Sequence, residues 1–462
     1  MSATEEIGHV PIVLLTTNQL SKEAPILSNK ELKLKYGKTE LSLNIPSEQL
    51  ICEVVGKECQ AVSDLIGALK QALAHPIDSP PMKEIVRPNE KVVIAVSDIT
   101  RAWQRMDLLL PTILDELNAA GVPDANITII IANGAHRLNT EAEFQILCGQ
   151  AVCNRVKVVN HDAFDEDCLV YKGKTSRGTE VYLNKLAADA DRIILTGGII
   201  YHYMVGYGGG RKSIMPGLSG VKTIRQSHLW ALGREEGSGS NPTAYSGHTN
   251  GNESNEDMIE VAAFAKPDFI INTVPTPDGQ VAGIFAGNWM TAWLSGTKMV
   301  DDIYGVNIPA KADIVVSTAG GYPKDINLYQ TGKTIDNAGY AVKKGGVVII
   351  LSECEDIYEP QEFSGWFNHG GAKQAEKVLR QNFGIPGWVA LKQMECSNLA
   401  TFIMITKPEN KPLVDKLFIP ATSMEEALSI AYSKCSTPTP SFIIMPQGAN
   451  TVPLIDGKPV VG

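Results

Sequence analysis

The chain runs to 462 residues with a formal charge of −10, 44% hydrophobic and 20% charged residues. That length accommodates two or three domains, and the balance is that of an ordinary soluble globular protein. The negative charge argues against nucleic acid or an anionic membrane as a general partner, while leaving room for a local basic pocket.

The opening stretch MSATEEIGHVPIV is acidic and lacks the basic start and apolar core of a signal peptide. Short β-branched runs then recur, alternating with segments of helical period. The expected strands are 91–98, 127–132, 156–160, 192–198, 268–274, 313–321, 346–353 and 441–446. The expected helices are 61–75, 108–120, 140–150, 252–265, 334–343, 370–384 and 424–433. Strands apolar on both faces, alternating with helices, define an α/β fold: two α/β domains with largely parallel sheets and a cleft between them. The longest apolar runs, such as ITIII and GGVVIIL, are strand-sized and far short of a membrane span. Eight scattered cysteines form no CxxC pair, so neither a disulfide framework nor a structural zinc site is indicated, and a reduced, cytoplasmic setting is expected.

A domain change is expected near residue 300, where a second series of strands begins. This divides the chain into an N-terminal domain, 1–300, and a second domain, 301–439, with 440–462 returning to the first. The polar, Gly/Ser/Asn-rich stretch 234–257 reads as an inserted surface loop that ends in a helix N-cap.

Polar residues cluster just after the strands, in SDITR, ANGAHR, TGGIIYHY and TAGGYPKD. Open α/β sheets bind ligands beyond the carboxyl ends of their strands, which groups these loops into one site. The stretch GYGGGRKSIMPG, 206–217, places four glycines beside Arg211 and Lys212, an arrangement friendly to phosphate. It is neither a Walker A loop nor a dinucleotide fingerprint, because Arg211 stands where each needs a small residue. Lys212, crowded by Arg211, is expected to have a lowered pKa; it is either an amine nucleophile or a plain phosphate contact.

Histidine is scarce, with eight in the chain. His136 and His202 follow strands and suit a reaction needing a base on each side of one ligand. His228, on the helix after the glycine loop, is a suitable nitrogen ligand for a borderline metal. His9, His75, His161, His248 and His369 read as structural. In GGYPKDINLYQTGKTID, Gln330 and Lys333 share one helical face at i, i+3 beside Tyr329, which suits a small carboxylate or a solvated helix start. Arg101 offers a bidentate fork to the same anion. Trp366 and Trp388 are read as core rather than pocket residues.

Taken together, GYGGGRKSIMPG, SDITR, ANGAHR and GGYPKDINLYQTGK resemble the nickel-pincer lactate racemase family over residues 10 to 460. The resemblance implies a racemase or epimerase of a 2-hydroxy acid, acting by proton-coupled hydride transfer through a 2-keto acid. It implies a nickel-pincer nucleotide, a pyridinium-3-thioamide-5-thiocarboxylic acid mononucleotide, attached covalently at Lys212 and made by separate cofactor-biosynthesis enzymes. By position, His228 would be the nickel ligand and His136 and His202 the acid/base pair. Asp98 would contact the ribose region, and Gly208, Gly209, Gly210, Arg211 and Ser213 would surround the cofactor. Arg101, Tyr329, Gln330 and Lys333 would hold the substrate. The family's DHTRP is DITRA here, with Ile99 and Ala102, and its TGxHR is NGAHR, with Asn133. These changes alter the pocket lining and leave the chemical groups in place. Two other readings stand beside this one: a nucleotide-dependent transferase using the 206–213 loop, and a cofactor carrier without turnover.

Overall fold

The computed structural model describes residues 29–459. Two six-stranded sheets organise the chain. The first runs in the order Val281–Gly287, Phe269–Pro275, Arg192–Gly198, Val92–Ser97, Ile127–Ala132, Lys157–Asn160, parallel except for its Val281–Gly287 edge. The second is wholly parallel, in the order Ile419–Ala421, Thr401–Ile405, Val342–Leu351, Ala312–Thr318, Phe442–Met445, Leu50–Glu53. The central runs VVIAVS and ITIIIA are apolar on both faces because helices cover both sides.

On one face of the first sheet, Ile94, Ile129 and Ile131 pack against Leu69, Leu109 and Ile113 of the helices Leu65–Ala74 and Met106–Ala119. Behind the second sheet lie the helix Met424–Lys434 and a hairpin of Asn29–Tyr36 with Thr39–Pro46. A larger core, including Leu195, Ile214, Val315, Phe402 and Trp388, joins the two units. Each fully buried aliphatic or aromatic side chain there is worth about 1.5–3 kcal/mol.

The chain ends depart from the sequence expectation. Leu50–Glu53, assigned to the first domain, closes the second sheet by pairing with Phe442–Met445, which was expected to return to the first domain. The hairpin before it also belongs to the second unit. Only the later strand Val452–Ile455 goes back: it pairs with Gly305–Asn307 and sets Val452 and Leu454 against Tyr201, Tyr207 and Trp293. Strand pairing is a long-range choice that apolar content alone does not specify. Among the described residues no helix is long and apolar enough to cross a membrane.

Candidate active site

The order of the first sheet reverses between Val92–Ser97 and Arg192–Gly198, and a crevice forms at such a switch point beyond the carboxyl ends of the strands. Asp98 and Arg101 follow the first of these strands and His202 the second. His136 follows the adjacent Ile127–Ala132. The second sheet also reverses, between Ala312–Thr318 and Phe442–Met445. From the end of Ala312–Thr318 the chain enters the helix Leu328–Ala341, which carries Tyr329, Gln330 and Lys333. That helix starts six residues before its expected start at 334, because the Asn327 side chain caps it by accepting the Gln330 N–H at 2.9 Å. The hairpin turn braces the loop before it: Gly37 N–H donates to Asp325 Oδ2 at 2.7 Å, and Tyr322 N–H donates to Gly37 O at 2.8 Å.

The glycine loop departs from the simple picture of a bare phosphate cradle. Gly208 N–H donates to Ile200 O (2.8 Å), Gly210 N–H to Asn272 Oδ1 (2.8 Å) and Lys212 N–H to Gly209 O (3.1 Å). These amides are taken up inside the fold. What the loop needs from glycine is room. Gly210 has φ +57°, and a Cβ there would lie 2.6 Å from Trp293 Cγ; at Gly209, φ +66°, it would lie 2.7 Å from Asn272 Oδ1.

Arg211 and Ser213 are corrected in the same way. The Arg211 guanidinium is fully buried beneath the loop, donating to the carbonyls of Val205 (2.8 Å) and Tyr207 (2.9 Å) and lying 4.1 Å from the Trp293 ring. The Ser213 hydroxyl donates to Thr196 O at 2.7 Å. Both side chains hold the loop's shape instead of facing a ligand. Gly210→Ala should therefore destabilise the protein by about 2–4 kcal/mol through overpacking and left-handed strain, which a denaturant titration reads.

Lys212 emerges half-buried from this loop without a salt bridge among the described residues. Burial, then Arg211 and Arg101, push its ammonium down to about 7. The same charge acts on two histidines. Burial and then Lys212 lower His228 to about 3, so the imidazole is neutral at physiological pH. His228 ends the helix Val221–His228, is 5% exposed, and packs against Phe383 with ring centroids 5.7 Å apart. No hydrogen bond among the described residues engages its ring nitrogens, which leaves it free to act as a ligand. Burial, followed by Lys212, Lys333, Arg211 and Arg101, also holds His202 well below the usual histidine range.

Across the cleft, burial raises the Tyr329 hydroxyl while Arg101 opposes the shift. Lys333, exposed at the surface of its helix, is lowered to about 8 by the crowding of protein around it and by Arg101 and Lys324. Arg101 thus acts electrostatically on Lys212 and His202 of one unit and on Tyr329 and Lys333 of the other, a local group of cations in a chain of net negative charge. Gln330 lies on the same first turn, exposed.

Asp98 lies beside His136 at the end of its strand. Its Oδ2 accepts the His136 Nδ1–H at 2.6 Å and its Oδ1 accepts the Thr100 N–H at 2.9 Å, so each oxygen has a partner within the protein. Burial raises the Asp98 carboxyl, but His136, Thr100 and Arg101 together bring it below the ordinary range. Two of the remaining histidines are held within the fold by hydrogen bonds. His161 is fully buried between Ser219 O and the Asn184 amide, and His248 bonds Thr243 O. His9 lies outside the described residues. Trp388 is core, with its N–H on Ala231 O.

Residues 234–257 are a strap between the units rather than a free surface insertion. Arg380 donates to Gly233 O (2.7 Å), Glu376 accepts Gly237 N–H (3.1 Å) and Glu395 accepts Ser240 N–H (2.9 Å). Asn241, Ser246 and Asn252 within it are buried. Sequence reasoning also missed Asn272, Trp293 and Phe383, each of which acts through a partner distant in the chain that no local pattern marks.

A Lys212 amine near neutrality at physiological pH should react early. In protein expressed without the cofactor pathway, labelling of Lys212 by an amine-acylating reagent should rise with pH to a midpoint near 7, as the neutral amine appears. Ordinary lysines label roughly three pH units higher. Peptide mapping across pH checks this.

Two doubly wound units, each with polar and cationic residues after the strands at its switch point, define an α/β protein of the class that carries its ligands there. Residues 36–239 match the lactate racemase N-terminal domain, and residues 308–452 match the lactate racemase C-terminal domain. The lactate racemase of Thermoanaerobacterium thermosaccharolyticum is 31% identical over 434 residues, spanning 91% of this chain and 98% of that protein. That of Lactiplantibacillus plantarum is 33% identical over 356 residues, 76% of this chain and 81% of that one. The solved lactate racemase apoprotein from the former organism superposes with a TM-score of 0.82 at 30% identity, covering 92% of this chain and all of that one. A Thermotoga maritima protein shares the fold, with a TM-score of 0.60 at 16% identity. The chain belongs to the lactate racemase family and is an isomerase, a racemase.

Proposed function

We propose that this racemase inverts the carbinol carbon of a 2-hydroxy acid by proton-coupled hydride transfer, with a nickel-pincer pyridinium mononucleotide as cofactor. The observation that carries the reading is the convergence of a near-neutral amine, Lys212, with two neutral imidazoles, His202 and His228, in one cationic cleft.

The residues fit such a group. Lys212 has the lowered basicity that an acylated amine anchor needs. His228 offers an unbonded neutral nitrogen. Among the described residues no group of three or more His, Cys, Asp or Glu is placed to hold a metal ion. A metal held by His228 would need further ligands, and a nucleotide bearing sulfur donors would supply them to nickel(II). When bound, the nucleotide supplies a hydride acceptor and donor, so the weakly acidic Cα–H need never leave as a proton.

The chain's own residues do the rest. Arg101, Gln330 and Lys333, with the Tyr329 hydroxyl, hold the carboxylate and orient the hydroxyl group. His136 and His202 handle the proton at that oxygen. The two units flank the site, and their approach excludes water from the reacting centre.

The test is expression together with the cofactor-biosynthesis enzymes. Intact mass and nickel content are measured first, then enantiopure 2-hydroxy acids are screened for loss of optical purity. An added mass on Lys212, nickel in near-stoichiometric amount and racemisation of one such acid are expected. An unmodified mass under those conditions overturns the cofactor assignment.

A further inference from the structure

A hollow of about 280 Å³ lies between the strand pair Leu169–Lys174 and Glu180–Asn184 and the start of the helix Val221–His228. Two exposed aromatic rings line it. Phe164 is 59% and Tyr171 50% exposed, and Phe164 is the most exposed large hydrophobic side chain among the described residues. Both are held in place. Phe164 N–H donates to Asp162 Oδ1 (2.9 Å) and Val221 N–H to Ala163 O (2.8 Å), while Tyr171 pairs across the strands with Tyr182, ring centroids 5.2 Å apart. Gly220 leaves the floor bare, since a Cβ there would lie 2.6 Å from Leu169 Cδ1. Fixed aromatic rings left in water beside a hollow mark a binding surface. The free charge there is acidic. Asp162, Asp165, Glu166 and Asp167 fall within six residues, and none forms a salt bridge among the described residues. Lys222, which also lines the hollow, is neutralised by Glu180, and Lys172 lines a separate one.

This surface is tied to the segment that carries the cofactor groups. Tyr182 N–H donates to the Thr223 hydroxyl (2.8 Å), that hydroxyl donates to Glu180 O (2.7 Å), and Gly220 N–H donates to Tyr182 O (2.9 Å). The bonds clamp the stretch joining Lys212 to His228. We infer that the hollow is the docking face for a basic segment of a partner protein, the enzyme that delivers the cofactor to Lys212. Arg or Lys side chains of that segment lie over Phe164 and Tyr171 and pair with Asp165 and Glu166. The inference rests on the function proposed above for the partner's identity; the hollow and its charge do not depend on it. A second copy of this chain is a poorer occupant, because two surfaces bearing the same acidic run repel and the whole chain carries −10. Attachment at a half-buried amine also calls for a donor held in one orientation, which a docked partner provides.

Binding and loading test this separately. The full chain without cofactor is immobilised, and each purified cofactor-biosynthesis enzyme is passed over it. One of them should bind, more weakly at high salt. It should also slow alkylation of the exposed Cys168 thiol, 2.9 Å from Asp165, and leave Cys59 unchanged. The double variants Asp165→Lys with Glu166→Lys and Phe164→Ser with Tyr171→Ser should each weaken that binding at least ~10-fold. All four side chains are exposed, so a thermal scan should find both variants unfolding near the wild-type temperature. On co-expression both should carry less added mass at Lys212 than wild type. Their racemisation rate per bound nickel should match wild type, because none of the four residues belongs to the active site described above. Wild-type binding and loading in both variants overturns the proposal, and so does binding by none of the enzymes or binding that leaves Cys168 unprotected. Wild-type self-association that both variants abolish, read by light scattering, gives the face to a second copy and overturns the named occupant. Unmodified wild-type protein after co-expression removes the cofactor assignment, while the binding and alkylation results still decide the docking face.

Discussion

Lys212→Arg, expressed with the cofactor pathway, should have the mass of unmodified protein and no measurable racemisation, a fall of at least ~10³-fold. Arginine keeps the positive charge but has no amine of near-neutral basicity to be acylated. If Lys212 only contacted a phosphate, the arginine variant would still load cofactor non-covalently and keep a substantial rate. The physical basis is the placement of the amine. It stands half-buried beside the fully buried Arg211 and under the field of Arg101, which brings it to about 7. The loop supports this position through Trp293 and Asn272, and therefore Lys212→Arg should unfold at nearly the wild-type temperature. A calorimetric scan separates loss of chemistry from loss of fold.

His228→Ala should dissociate the anchor from the metal. The covalent mass at Lys212 is expected to remain, while nickel content after gel filtration falls to a small fraction of the wild-type value. Racemisation should drop on the order of 10³-fold, because a catalytic metal contributes several kcal/mol. The imidazole is buried, neutral and packed on Phe383 of the second unit. Among the described residues no hydrogen bond engages its ring, so its removal breaks no protein network there. Retained nickel in this variant, at wild-type occupancy, would remove His228 from the ligand set.

Much of the framework was legible because parallel strands buried on both faces are written as uninterrupted β-branched runs. Val92–Ser97, Ile127–Ala132, Arg192–Gly198 and Phe442–Met445 all appear within a residue or two of their expected bounds. The hairpin NKELKLKY and TELSLNIP was not read as such, since half its residues are polar and face outward. The strand after Ser441 was recognised, but its partner was not: pairing depends on the global register of two sheets and not on local composition.

The division between sequence and tertiary structure runs through the site. By itself the sequence determined the α/β class, the family motifs, the unusual amine at 212, and a set of cationic and imidazole groups placed after strands. Composition and spacing are enough for these because they depend on what residues are and where strands end. The direction of each side chain was decided only in three dimensions. Arg211, next to Lys212 and equally charged, folds under the loop onto Trp293, 82 positions later, while Lys212 stays half-buried. Asp98 turns to His136, and the Met204 N–H donates to His202 Nδ1. A side chain points toward whatever satisfies its charge and hydrogen bonds at least cost. In a doubly wound fold those partners arrive from strands and helices far away in the chain.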